Sequence, residues 1–169
     1  TGKVTATIDT SETVTELATL NADGGVNDLT ITIRGLDATA ATAAQLNTIN
    51  AATALAVNLT NVTGLAASSL DDIAIFDTAI SNSEFSNVAG LTTIAVSDTT
   101  IDATTLATRI SSYDTVNGTT TTNMSLASGA TINVDASEVT AMLTDEEGGR
   151  LTIGDQAITV TGAITVDVA

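Results

Sequence analysis

Apolar and polar residues alternate in short runs: Leu29-Thr30-Ile31-Thr32-Ile33, Val57-Asn58-Leu59-Thr60-Asn61-Val62, Leu91 to Val96, and Leu151-Thr152-Ile153. A two-residue period puts every second side chain on one face, so each run predicts a short strand with one buried side. Between the runs the period lengthens to three or four. Val14, Leu17 and Leu20, then Leu46 with Ile49, Leu70 with Ile73, Leu106 with Ile110, and Val139 with Met142 and Leu143 each predict the apolar stripe of a short helix. Glycines fall where the chain must reverse, at Gly24-Gly25, Gly35, Gly64, Gly90, Gly118, Gly129 and Gly148-Gly149, mostly with Asn or Asp nearby. No proline occurs, and no linker divides the chain.

A larger period overlies this pattern. An aliphatic-Asp-Ala signature recurs at Ile8-Asp9, Leu36-Asp37-Ala38, Leu65-Ala66-Ala67, Ile101-Asp102-Ala103, Val134-Asp135-Ala136 and Val166-Asp167-Val168. The intervals are roughly 28, 29, 36, 33 and 32 residues, in the range of repeat architectures. A unit of that size cannot bury its own apolar face, so neighbours must cover one another. The expectation is a mainly β fold with short helices, a parallel β-solenoid of about five coils in one repeat domain over residues 1–169. Ile8, Leu36, Leu65, Ile101, Val134 and Val166 would stack in one inner column. An antiparallel β-sandwich is the alternative, since Thr-rich short strands with glycine turns suit it too.

The signature Asp has a local role in this reading. A carboxylate or hydroxyl before a helix accepts from the free N–H groups of its first turn. Asp102 and Asp135 are expected caps, with Ser137 competing for the second. Ser11 and Thr39 are expected in the first two units, and Ser68 or Ser69 in the third, where Ala66 replaces the Asp.

Composition narrows the field. The aromatics are Phe76, Phe85 and Tyr113, so the apolar 43 % is nearly all small aliphatic. Threonine fills about a fifth of the chain, which leans the reading towards strands. The absence of Cys excludes disulfides and thiolate metal sites. Lys3, Arg34, Arg109 and Arg150 stand scattered against 20 acidic residues, for a net charge of −16. Nucleic acid and anionic membranes are therefore poor candidate partners, and none is expected. No apolar run approaches the roughly 20 residues that span a bilayer, so membrane insertion is not expected. An acidic, Lys-poor, Cys-free chain suits an extracellular or cell-surface protein, above all in salt water, where counterions screen self-repulsion.

The stretches Leu36-Asp37-Ala38-Thr39-Ala40-Ala41-Thr42-Ala43-Ala44-Gln45-Leu46-Asn47-Thr48-Ile49 and Thr99-Thr100-Ile101-Asp102-Ala103-Thr104-Thr105-Leu106 resemble the Thr/Ala/Asp-rich repeats of very large bacterial cell-surface proteins, especially those of marine cyanobacteria. The resemblance implies a solenoid on a cell surface. It carries no catalytic or binding residue.

Candidate chemistry is sparse. Asn21, Asp23 and Asp28 around Gly24-Gly25 echo part of a calcium-binding β-roll repeat, and Asp71-Asp72 and Asp145-Glu146-Glu147 are oxygen-rich. Plain turns and solvated acidic pairs account for them as well, so calcium stays open without being required and no metal ligand is assigned. With no His or Cys, hydrolysis would need a carboxylate pair, and no enzyme is expected. Asn58, Asn61, Asn117 and Asn123 begin glycosylation patterns, at a frequency that chance explains in so Ser/Thr-rich a chain.

The function expected is that of a structural or adhesive surface protein, either a solenoid segment or a head-to-tail filament subunit. A receptor-binding or carbohydrate-binding fibre module is the rival, and a calcium-responsive module ranks below it. Both ends carry strand-like sequence, Val4 to Asp9 and Ile164 to Ala169. Copies of the chain or adjoining repeats are expected to cover them, with Ile164 and Val166 entering the next core.

Overall fold

The computed structural model describes residues 3–20, 27–117 and 122–162. Its five helices are α1 (Val14–Leu17), α2 (Ala43–Ala51), α3 (Leu70–Ser81), α4 (Ala103–Asn117) and α5 (Val139–Glu147). They alternate with short strands: β1 (Thr5–Thr7), β2 (Asp28–Thr30), β3 (Val57–Asn58), β4 (Gly64–Ser68), β5 (Phe85–Ser86), β6 (Thr93–Val96), β7 (Thr100–Asp102), β8 (Asn123–Leu126), β9 (Thr131–Asp135), β10 (Leu151–Thr152) and β11 (Ala157–Thr161). The strands form small sheets in the orders β10-β8-β6-β4, β11-β9-β7, β1-β2 and β3-β5. Every pairing among the described residues is parallel. Each parallel pair therefore joins one strand-and-helix unit to the next, and the helix supplies the crossover that parallel strands require.

This is a mixed α/β protein. The expectation of a mainly β solenoid fails on the helices, since α3 and α4 run 12 and 15 residues while the longest strands run five. The sandwich alternative fails because antiparallel pairing is absent from the described residues. Threonine is the physical reason for the error. Its β-branch favours strands in general, but within these helices its hydroxyl bonds back to the carbonyl four residues earlier. Thr48 donates to Ala44 O, Thr78 to Ala74 O, Thr108 to Thr104 O and Thr144 to Thr140 O, at 2.8 to 2.9 Å. One exposed threonine in each of α2 to α5 is thus accommodated by the helix.

The predicted inner column also breaks up. Leu36 lies on a 3-10 turn (Gly35–Asp37) and is 85 % exposed. Leu65 aligns with Ile94, Met124 and Leu151 in one sheet, whereas Ile101 aligns with Ile132 and Ile158 in another. Val134 faces Val160, Ile8 is only partly buried, and Val166 lies outside the described residues. The signature falls at different points of successive units, so similar spacing in sequence does not become equal position in space.

The helices sit where the apolar spacing places them. Val14 and Leu17, Leu46 and Ile49, Leu70 and Ile73, and Leu106 and Ile110 are all buried, each contributing roughly 1.5–3 kcal/mol by leaving water. Leu20 and Val139 are only partly buried, and Leu143 is exposed. Phe76 and Phe85 pack with ring centroids 4.9 Å apart. At Gly64, where β4 passes β6, an added Cβ would lie 2.2 Å from Thr93 Oγ1 and 3.2 Å from its carbonyl, so a side chain there would displace Thr93.

Capping follows the expected chemistry at partly different residues. Asp102 accepts from the Thr105 N–H at 2.9 Å, and Ser69 accepts from the Asp72 N–H at 3.1 Å. Thr13 and Thr42, rather than Ser11 and Thr39, start α1 and α2 through reciprocal capping boxes with Glu16 and Gln45. Neither Asp135 nor Ser137 caps α5. Asp135 instead takes the Ser137 N–H and hydroxyl at 2.9 and 2.6 Å, closing a turn before the helix.

Candidate functional site

A second set of acceptors reaches the helix starts from one unit downstream. Val14 N–H donates to Asp37 Oδ2 at 2.9 Å, Ala43 N–H to Ser68 Oγ at 2.9 Å, and Leu70 N–H to Asp98 Oδ2 at 2.8 Å. First-turn N–H groups have no partner inside their own helix, so each bond ties one unit to the next at a group that needs a partner. Asp37 also accepts from Arg34 Nε at 2.8 Å, while Arg34 reaches back to the Ser11 carbonyl at 2.9 Å.

At the C-terminal end of the described stack this covering stops. β11 pairs only with β9 among the described strands, and its five residues are all exposed. Ile158 and Val160 are 42 % and 40 % exposed, although Ile132 and Val134, which they face in register, are 0 % and 1 %. Val139, the first residue of α5, has no acceptor for its N–H among the described residues, unlike its counterparts Val14, Ala43 and Leu70. The segment from Ile164 to Ala169, expected to pair with the next unit, lies outside the described residues.

Beside this end, α4 and α5 diverge around a groove of about 630 Å³. Leu106, Ile110, Met142 and Leu151 form its apolar floor, with Thr104, Thr108 and Ser111 at the rim. Both rim carboxylates are engaged: Glu138 accepts from the Thr104 hydroxyl at 2.6 Å, and Asp145 pairs with Arg150 at 3.0 Å. The sequence signal for the groove was a face of small residues on α4, at Thr104, Ala107, Thr108 and Ser111.

Asp77 was missed as well. It lies four residues after Ile73 and three before Ile80, in phase with the buried stripe of α3. Both of its carboxylate oxygens are buried without a hydrogen bond, and Oδ2 lies 3.5 Å from Arg109 Nη1 on α4. Burial raises its pKa to about 7 against the opposing pull of Arg109.

The acidic candidates do not converge. Asp28 pairs with Lys3, Asp72 accepts from the Ser69 hydroxyl at 2.6 Å, and Asn21 and Asp23 lie outside the described residues. Among the described residues no three carboxylates come together as a metal site. Asn58 and Asn61 are spent on the stack, Asn58 accepting from Thr60 N–H and Asn87 Nδ2, and Asn61 donating to the Ile33 carbonyl.

No family model, curated protein or solved structure matches the chain. No described helix is long and apolar enough to cross a membrane.

Proposed function

We propose that the chain is a structural or adhesive segment of an extracellular or cell-surface protein, extended by adding like units end to end. The observation that carries this reading is the exposure of Ile158 and Val160 in register with buried Ile132 and Val134. An apolar strand edge of this kind pairs readily with a matching strand, and a unit laid on β11 would bury both side chains as β11 buries those of β9. The resemblance to Thr/Ala/Asp-rich surface repeats and the charge of −16 support the location.

The test is sedimentation of the intact chain over a range of concentrations beside an Ile158→Lys/Val160→Lys variant. The intact chain is expected to associate as concentration rises. The variant should stay monomeric with little change in melting temperature, because both side chains are exposed in the monomer. An intact chain that remains monomeric, or association that survives the substitutions, would overturn the reading.

A further inference from the structure

Asp77 and Arg109 meet across the seam between α3 and α4, where the helix of one unit packs on that of the next. The Asp77 side chain is 3 % exposed, and Ile73 and Ile80, in phase with it along α3, are buried. Leu106, Ile110 and Tyr113 of α4 are buried as well. Neither Asp77 oxygen receives a hydrogen bond, and Arg109 Nη1 stops 3.5 Å from Oδ2. A carboxylic acid tolerates such surroundings far better than a carboxylate, which needs donors or water around its charge. The seam between α2 and α3 is tied differently. There Asn47 Nδ2 donates to the Asp72 carbonyl at 3.0 Å, a bond between groups that do not titrate. The charged groups on the elements packed around Asp77 leave Arg109 as the one that faces it. α2 carries none, Glu84 beside β5 is held by Asn50 and Asn82, Asp72 accepts from the Ser69 hydroxyl and Asp71 is exposed. Asp114, five residues beyond Arg109 on α4, lies outside the described side chains.

We propose that the seam between α3 and α4 is a proton-operated joint in the stack, closed while Asp77 carries its proton and loosened when the ionised carboxylate draws in water and the Arg109 guanidinium. A closed seam keeps the proton on Asp77 and an open one releases it, so opening is coupled to the loss of one proton. Closure is strongest below the ordinary Asp value of 3.8. It weakens as pH rises and stops weakening above about 7, where the closed seam ionises too. A helix of 15 residues freed from its neighbour is only marginally stable, so loosening is read in the backbone of α4 itself. The neutral bond between α2 and α3 gives that seam no such response.

The test follows amide hydrogen exchange of the intact chain between pH 5 and 9, corrected for the intrinsic pH dependence of exchange. Dilution keeps end-to-end association through β11 out of the measurement. Opening read at the Ile110 amide of α4 is expected to rise by up to about tenfold per pH unit as far as pH 7 and then to level off, while the Ile49 amide of α2 stays protected. The comparison of these two amides needs no variant. Asp77→Asn should hold the Ile110 opening constant across the range, which assigns the proton to Asp77 rather than to Asp114. Arg109→Gln should move the levelling point to higher pH, because the guanidinium favours the carboxylate. A pH-independent opening in the intact chain would overturn the proposal, as would a pH dependence that persists in Asp77→Asn or a levelling point that Arg109→Gln leaves in place. An equal rise at the Ile49 amide would overturn it too, since the loss would then belong to the whole fold and not to this seam.

Discussion

β9 and β11 are adjacent strands of one sheet with nearly the same pattern, Thr-Ile-Asn-Val-Asp against Ala-Ile-Thr-Val-Thr, paired residue for residue. Yet Ile132 and Val134 are buried, while Ile158 and Val160 are about two-fifths exposed. β9 has β7 on one side and β11 on the other, whereas β11 has only β9 among the described strands. Alternation therefore settles which face of a strand is apolar, and a neighbouring unit settles whether that face leaves water. The same logic separates two buried carboxylates. Asp37 accepts from Val14 N–H and Arg34 Nε, and Asp77 accepts no hydrogen bond. A buried carboxylate is stabilising where its surroundings bring donors within hydrogen-bond reach and costly where they bring only a more distant charge.

The strand comparison predicts a large effect. Ile132→Ala should cost about 3–4 kcal/mol in chemical denaturation, from lost burial and a residual cavity. Ile158→Ala in the monomer should cost about 1 kcal/mol or less. Equal losses at the two positions would mean that β11 is covered in solution.

The carboxylate comparison is broken by pH, with an effect of up to about 4 kcal/mol from a pKa moved from 3.8 to about 7. In the folded chain Asp77 keeps its proton where the unfolded chain has lost it. Its favourable contribution is thus complete below the unfolded value of 3.8 and is lost as pH rises through about 7. Asp77→Asn should flatten the fall in melting temperature across that window and stabilise the chain most on its alkaline side. Asp9, Asp102 and Asp135 act in the opposite sense. Hydrogen bonds from Ser11, Thr105 and Ser137 lower their pKa values, so what they contribute is lost only as pH falls below the ordinary Asp range. Melting temperatures of both proteins over the full pH range separate the two trends, and parallel curves would rule out Asp77 as the neutral-pH group.

The smallest effect concerns the two kinds of helix cap. Thr42→Ala and Ser68→Ala should each cost about 1 kcal/mol. Hydrogen exchange distinguishes them. Ser68→Ala should speed exchange at the Ala43 amide and spare that of Gln45, which Thr42 holds, and Thr42→Ala should do the reverse.

Much of this was legible in the chain. The spacing of Leu46 with Ile49 and Leu106 with Ile110 marked α2 and α4, the alternation at Leu91 to Val96 marked β6, and Asp102 and Ser69 were recognisable as caps. All of these depend on chemistry within a few residues, where the backbone's own periodicity and its free N–H groups dictate the answer. The balance of helix and strand was misread because threonine was weighed by propensity, whereas its hydroxyl could be satisfied inside a helix. Only the tertiary structure decided that Leu65 aligns with Ile94 while Ile101 aligns with Ile132, that Asp77 faces Arg109, and that Asn50, Asn82 and Glu84 converge. Each of those contacts depends on how many residues one unit takes before the chain returns to its neighbour, a length that varies along the chain and that the local pattern does not encode.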